Sequence, residues 1–123
     1  MISGIGFGDI VVDCSDAKKL CDFYAELLGW EKRELFGAPA LQSREGLMLL
    51  FVQEEDFVPC VWPEENGKQQ KQMHFDFQVP DVQAAVRQAE SLGAVKARAP
   101  FGGKVFVTMR VPAGHPFCLC AKD

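Results

Sequence analysis

Several features that mark particular classes of protein are missing from this sequence. No run of about eighteen apolar residues is present, so no segment is long enough to span a bilayer as a helix. The first residues, "MISGIGFGDI", lack the basic start and long apolar run of a signal peptide. The 13 basic and 17 acidic side chains give a net charge of −4, without the basic stripe that nucleic-acid binding requires. The sequence therefore predicts a cytoplasmic protein that binds neither membranes nor nucleic acids.

The cysteines also lack the spacing of familiar cysteine sites. Five are present, an odd number, and no pair has the CxxC spacing of a zinc site. A reducing compartment and a role as small hydrophobic residues explain them best. They are Cys14, Cys21, Cys60, Cys118 and Cys120.

Apolar residues, in contrast, are plentiful. Of the 123 residues 48% are hydrophobic and ten are phenylalanine, which is enough to bury a core without disulfide bonds or structural metals. The length is that of one domain. The expectation is a single globular domain spanning residues 1–123.

Two stretches repeat the same pattern within that domain. They are "DIVVDCSDAKKLCDFYAELLGW" and "HFDFQVPDVQAAVRQAESLGAV". Aligning Asp9 with His74 also aligns the aspartates that can cap a helix, Asp16 and Asp81, and one gap later it aligns Gly29 with Gly93. The chain therefore contains an internal repeat.

Each repeat predicts one strand, one amphipathic helix and three further strands. The helices should run from Asp16 to Gly29 and from Asp81 to Gly93, because apolar residues recur there at three- and four-residue spacing. The fold class is therefore α+β with two βαβββ modules, residues 1–53 and 73–123, joined by a polar linker, 54–72. The further strands are expected at 31–36, 38–42, 46–53, 94–99, 104–111 and 117–121.

The stretch "MHFDFQVPDV" alternates between apolar and polar residues, as a strand with two different faces does. Phe75 and Phe77 should pack under the second helix. His74, Asp76 and Gln78 fall on the opposite face, which is either solvated surface or the wall of a site. Two modules whose sheets curve toward each other favour a lined groove.

Three stretches carry a resemblance to a known group of proteins: "VVDCSDAKKLCDFYAELLGW", "MHFDFQVPDVQAAVRQAESLGA" and "VPAGHPFCLC". In this order they resemble the vicinal oxygen chelate superfamily, which includes glyoxalase, bleomycin-resistance and extradiol-dioxygenase proteins. The likeness is closest to small glyoxalase-like domains. It implies paired βαβββ modules with curved mixed sheets, a ligand in the concave groove of the sheets, and usually a homodimer.

The resemblance also implies where a metal would bind. Members that use a metal take one ligand from the first and fourth strand of each module, usually His, Glu or Gln. The matching positions here are Asp9, Leu50, His74 and Cys118. Leu50 cannot ligate a metal and Cys118 stands where glutamate is usual, so we expect no metal. The alternative is a three-ligand O, N, S site of Asp9, His74 and Cys118 with one open position.

Other residues of the expected groove allow more than one interpretation. Cys118 and Cys120 should share one strand face, as a soft metal pair, a redox-sensitive couple or small residues that fill the groove. The carboxylates near His74 suit acid–base catalysis or simply satisfy one another. Trp62 is a lid that stacks on a flat ligand, or it packs in a dimer contact or the core. The candidate groove residues are Asp9, Asp13, Leu50, Trp62, His74, Asp76, Gln78, Cys118 and Cys120.

Three functions follow from these features. The first, which we expect, is a metal-free protein that binds a small organic molecule in its groove. The second is a divalent-metal-dependent lyase, isomerase or dioxygenase. The third is a structural or regulatory dimer without a ligand.

Overall fold

The computed structural model describes residues 1–98 and 103–122. Within them the chain forms two four-stranded sheets and two helices, an α+β architecture. The first half consists of β1 (Ile10–Cys14), α1 (Ala17–Leu28), β2 (Glu31–Leu35), β3 (Ala38–Gln42) and β4 (Met48–Gln53). The second consists of β5 (Phe75–Val79), α2 (Val82–Ser91), β6 (Val95–Lys96), β7 (Phe106–Arg110) and β8 (Pro116–Ala121).

The two sheets have the same topology. Their strand orders are β1-β4-β3-β2 and β5-β8-β7-β6. In each sheet the first and fourth strands pair in parallel and the other neighbours pair antiparallel. The prediction of two βαβββ modules is confirmed.

The chain divides into two compact units, Met1–Phe57 and Val58–Asp123. The segment 54–72, expected to be a linker, contains no helix or strand. Its residues from Val58 onward belong to the second unit. None of the helices in the described residues is long and apolar enough to cross a membrane.

The helices begin where the capping aspartates predict. The Asp16 carboxylate accepts from the Lys19 amide at 3.0 Å, and the Asp81 carboxylate accepts from the Ala84 amide at 3.0 Å. At the other end of α1, Gly29 adopts φ 68°, the left-handed conformation that glycine tolerates best. The second helix ends one residue before the expected position, because Leu92 is its C-cap and Gly93 follows with φ 104°.

Most strands are shorter than the sequence predicted, and turns account for the differences in the first unit. Phe36 and Gly37 both have positive φ, so β2 ends at Leu35. The Ser43 amide donates to the Leu47 carbonyl at 2.9 Å, and this turn delays β4 until Met48. In the second unit β6 contains only two residues. Residue 99, the end of the strand predicted there, lies outside the described residues.

The first unit packs α1 on its sheet through aromatic contacts. The Tyr24 ring stacks on Phe51 with centroids 6.0 Å apart and meets the edge of Phe23 at 5.3 Å. Cys14 and Cys21 are buried in the same unit, and all five cysteines are free.

The second unit packs its helix on its sheet in a similar way. The buried residues of α2 are Val82, Val86 and Ala89, and the helix packs on β8, β6 and β7. Phe117 of β8 is fully buried, and its ring contacts Phe77 at 5.9 Å. The apolar side of "MHFDFQVPDV" therefore contributes to the core of this unit.

The buried thiol of Cys14 should make stability depend on pH. Burial raises the pKa of Cys14 from 9.0 to about 11. As the pH rises, the Cys14 thiol therefore loses its proton at a lower pH in the unfolded chain than in the folded protein. The free energy of unfolding should fall between about pH 9 and 11, by at most about 1.4 kcal/mol per pH unit. The free energy of unfolding of Cys14→Ala, measured with urea over this pH range, should decline less steeply than that of the wild type. Cys60→Ala, at a half-buried position, is the control, and equal slopes for wild type and Cys14→Ala would contradict the prediction.

Candidate functional site

The candidate site lies on the face of the second sheet that is turned away from the Phe117 core. The parallel register of β5 and β8 pairs Asp76 with Cys118 and Gln78 with Cys120. The antiparallel register of β7 and β8 pairs Thr108 with Cys118. Because partners in register point to the same side of a sheet, these side chains share one face.

Three of the side chains on this face form a compact group, the His–Asp–Cys cluster of His74, Asp76 and Cys118. One potential ligand atom from each residue lies within 4.8 Å of the other two. His74 Nε2 and Asp76 Oδ1 are 3.3 Å apart. Cys118 is buried, and its Sγ lies 3.4 Å from Thr108 Oγ1, which is also buried. The cluster thus has a buried sulfur at its base and an exposed carboxylate at its edge.

An aromatic wall stands beside the cluster. The Trp62 indole lies 5.1 Å from the His74 imidazole, with the ring planes at 47°. The Lys71 ammonium sits 4.2 Å from the centroid of the same indole, within the range of a cation–π contact. Lys71 also pairs with Glu64 at 3.1 Å. Trp62 therefore restricts the space on one side of His74.

Arg110 fixes the backbone that carries Trp62. Its guanidinium donates to three carbonyl oxygens: Cys60 at 3.0 Å, Trp62 at 3.0 Å and Gly114 at 2.7 Å. A guanidinium offers five donors in a rigid plane, so one side chain can join β7 to a segment about fifty residues earlier. This arginine makes Trp62 part of a defined wall.

Gly114 allows the segment that carries Pro59 and Trp62 to come close to the turn before β8. A Cβ at this position would lie 2.8 Å from Pro59 Cβ, and φ is 100°. Both conditions require glycine. The fold therefore requires the glycine in "VPAGHP".

Burial and a nearby carboxylate raise the pKa values of the two thiols on this face. Burial raises the pKa of Cys118, and the Asp76 carboxylate raises it further, against a lowering by the hydrogen bond with Thr108. Burial and the same carboxylate raise the pKa of Cys120. Because the thiolate is the reactive form of cysteine, these shifts disfavour reaction of either thiol.

Comparison with protein-family models identifies the family. The model described as "Glyoxalase-like domain" matches residues 9–120. The chain belongs to the glyoxalase-like domain family. The superfamily predicted from the sequence is thereby confirmed. A search of curated proteins gave no match.

Solved structures support the fold of this glyoxalase-like domain. A glyoxalase/bleomycin resistance protein/dioxygenase family enzyme from Burkholderia phytofirmans PsJN has 14% identity, a TM-score of 0.69 and coverage of 93% of this chain and 98% of its own. The fosfomycin resistance protein FosX from Listeria monocytogenes has 19% identity, a TM-score of 0.68 and coverage of 100% and 96%. The oxidase ChaP-H2 has 16% identity, a TM-score of 0.67 and coverage of 98% and 95%. Identities this low establish a shared fold only.

The first module of the glyoxalase-like domain has apolar residues at two of the three positions of the cluster. The register of its sheet pairs Val11 with Leu50, at the positions that Asp76 and Cys118 occupy in the second sheet. Leu50 is buried, Asp13 is exposed on β1, and Asp9 is half-buried just before β1. The internal alignment of Leu50 with Cys118 therefore agrees with the strand register.

The structure thus brings together some of the candidate residues. His74, Asp76 and Cys118 form the cluster, Trp62 packs on it, and Gln78 and Cys120 lie farther along the same face. Sequence reasoning placed the third potential ligand at Asp9, whereas the cluster contains Asp76. The spacing of His74 and Asp76, two residues apart on one strand, is the signal that could have indicated this pair. The contributions of Lys71, Thr108 and Arg110 were not foreseen.

Removal of the Arg110 guanidinium should release Trp62. Arg110→Met retains an unbranched side chain but loses all three hydrogen bonds, at a cost of about 1 to 3 kcal/mol in the free energy of unfolding. In a Trp30→Phe background, Trp62 emission should shift to longer wavelength and acrylamide should quench it more strongly. Arg33→Met, at an exposed residue paired with Glu31, is the matched control. Unchanged Trp62 quenching in Arg110→Met would show that the guanidinium does not hold this wall.

Proposed function

We propose that this glyoxalase-like protein binds a compact organic molecule on the polar face of its second sheet, against Trp62 and the His–Asp–Cys cluster. The contact between the Trp62 indole and His74, beside the exposed Asp76 carboxylate, is the observation that carries the proposal. An aromatic wall with a few convergent polar groups is the usual composition of a small-molecule site.

The exposure of these side chains suits a ligand approaching from solvent. The Asp76 side chain is 62% exposed and the His74 side chain 31%, whereas Cys118 and Thr108 are buried beneath them. A ligand can therefore hydrogen-bond to the carboxylate and imidazole while its apolar part contacts the half-buried Trp62.

The charges at the site indicate which ligands it favours. Lys71 is neutralised by Glu64 at 3.1 Å, and Arg110 is directed at backbone carbonyls. Asp76 is therefore the charge that a ligand meets. A molecule with an ammonium group or other hydrogen-bond donors suits this carboxylate, and an anion such as fosfomycin does not, although FosX shares the fold.

A metal-dependent lyase, isomerase or dioxygenase is the second candidate function. The close grouping of the imidazole, carboxylate and thiol favours it.

In either case the homodimer and the cytoplasmic location expected from the sequence stand as further proposals. Light scattering on the purified full chain tests the dimer.

Two ligands of similar shape and opposite charge test the proposed function. In calorimetric titrations of metal-free protein, we expect tyramine, a cationic aromatic amine, to bind at least about tenfold more tightly than 4-hydroxyphenylacetate, a difference of about 1.4 kcal/mol. Asp76→Asn should abolish the preference, because the charge that causes it is removed. Trp62→Ala should weaken the binding of both compounds, because the aromatic wall is lost.

Asp56→Asn, a change at an exposed aspartate of the first unit, is the matched control and should leave both affinities unchanged. The charge argument is wrong if the two compounds bind equally well to the wild type. Tighter binding of fosfomycin than of tyramine would contradict the proposed ligand class.

A further inference from the structure

We infer that the His–Asp–Cys cluster is a zinc site contained within the second unit. Its ligands would be His74 just before β5, Asp76 on β5 and Cys118 on β8. This set differs from the one that the resemblance implied, which takes a single ligand from each of four strands in two modules. It also differs from the set of Asp9, His74 and Cys118 considered from the sequence.

The distances in the cluster suit a tetrahedral zinc ion. Bonds of about 2.0 to 2.2 Å to nitrogen and oxygen place two such ligands about 3.3 Å apart at tetrahedral angles. His74 Nε2 and Asp76 Oδ1 are 3.3 Å apart. A zinc–thiolate bond of about 2.3 Å places the sulfur about 3.6 Å from the other ligands. Because all three atoms already lie within 4.8 Å of one another, small side-chain rotations close the site.

The types of donor atom select the metal. Thiolate and imidazole are ligands that zinc prefers, whereas magnesium, calcium and manganese prefer oxygen. A set of one sulfur, one nitrogen and one oxygen therefore favours zinc over the harder cations. The cysteine that departs from the family's usual glutamate becomes the residue that determines the metal.

The surroundings of the cluster are those of a supported metal site. The Thr108 hydroxyl contacts Cys118 Sγ at 3.4 Å and can donate to the thiolate that zinc would stabilise. The Trp62 ring packs on the His74 imidazole and limits its orientations. Both residues hold ligands in place without ligating, as outer partners do in metal sites.

Three protein ligands leave one coordination position open. A bound zinc ion would supply Lewis acidity there, polarising an oxygen of a ligand. This use of the metal rests on the second candidate function, the metal-dependent enzyme, and not on the binding of an ammonium group by a free Asp76 carboxylate. Zinc binding itself does not depend on it, and its test uses no organic ligand, so the two proposals can fail separately.

Cobalt substitution tests the inference directly. Untagged protein is stripped with a chelator and titrated with Co²⁺, which reports its ligands by absorption, and then with Zn²⁺. We expect one Co²⁺ per chain, the visible bands of tetrahedral cobalt and a near-ultraviolet thiolate-to-cobalt charge-transfer band. Zn²⁺ should displace the cobalt and abolish these bands.

Variants of the cluster identify the ligands. Cys118→Ser should abolish the charge-transfer band, and Asp76→Asn should weaken Co²⁺ binding by more than about tenfold. Thr108→Val should weaken it by about tenfold, as loss of an outer partner does. Cys60→Ser, at a half-buried cysteine of the second unit that lies outside the cluster, is the matched control and should retain the full spectrum.

Asp9→Asn distinguishes this site from the set considered from the sequence. If Asp9→Asn abolishes cobalt binding while Asp76→Asn does not, the inference is overturned. It is also overturned if wild type shows no charge-transfer band, or if the band survives in Cys118→Ser. Circular dichroism establishes that each variant is folded. Should the buried Cys118→Ser fail to fold, Asp76→Asn at an exposed side chain decides the question.

Discussion

The parallel pairing of β5 with β8 is the constraint on which the candidate site depends. Its register places Asp76 beside Cys118 and Phe77 beside Leu119. A slip of one residue would move the phenylalanines to the polar face and the carboxylate toward the core, at a cost that burial of Phe117 and its neighbours makes prohibitive. The apolar packing under α2 therefore determines where the chemistry lies. The crossover through α2 makes this parallel pairing possible.

The two modules show that the backbone does not determine the chemistry. Both sheets have the same strand order and equivalent registers, yet the first pairs Val11 with Leu50 where the second pairs Asp76 with Cys118. The repeat preserves the packing rules, since the core side of each sheet must remain apolar. The other side is under no such requirement, and function is determined by the side chains placed there.

Local patterns explain why much of the fold could be predicted. The capping aspartates and the alternation in "MHFDFQVPDV" act within a few residues, so the helix starts and the sides of β5 follow from the sequence. The Arg110 contacts could not be predicted, because they join carbonyls 48 and 50 residues away. Asp76 is two residues from His74 in the sequence, but the resemblance implies one ligand from each strand and hence Asp9.

Zinc binding would change what the proposed ligand site prefers. Without a metal, the Asp76 carboxylate is the charge a ligand meets, and a cation is favoured. With zinc, the Asp76 carboxylate and the Cys118 thiolate would balance the two positive charges of the ion, and the open position would suit an electron-rich oxygen. The same side chains would then favour a ligand oxygen instead of an ammonium group. The metal content of the site therefore sets the charge of the ligands that this face prefers.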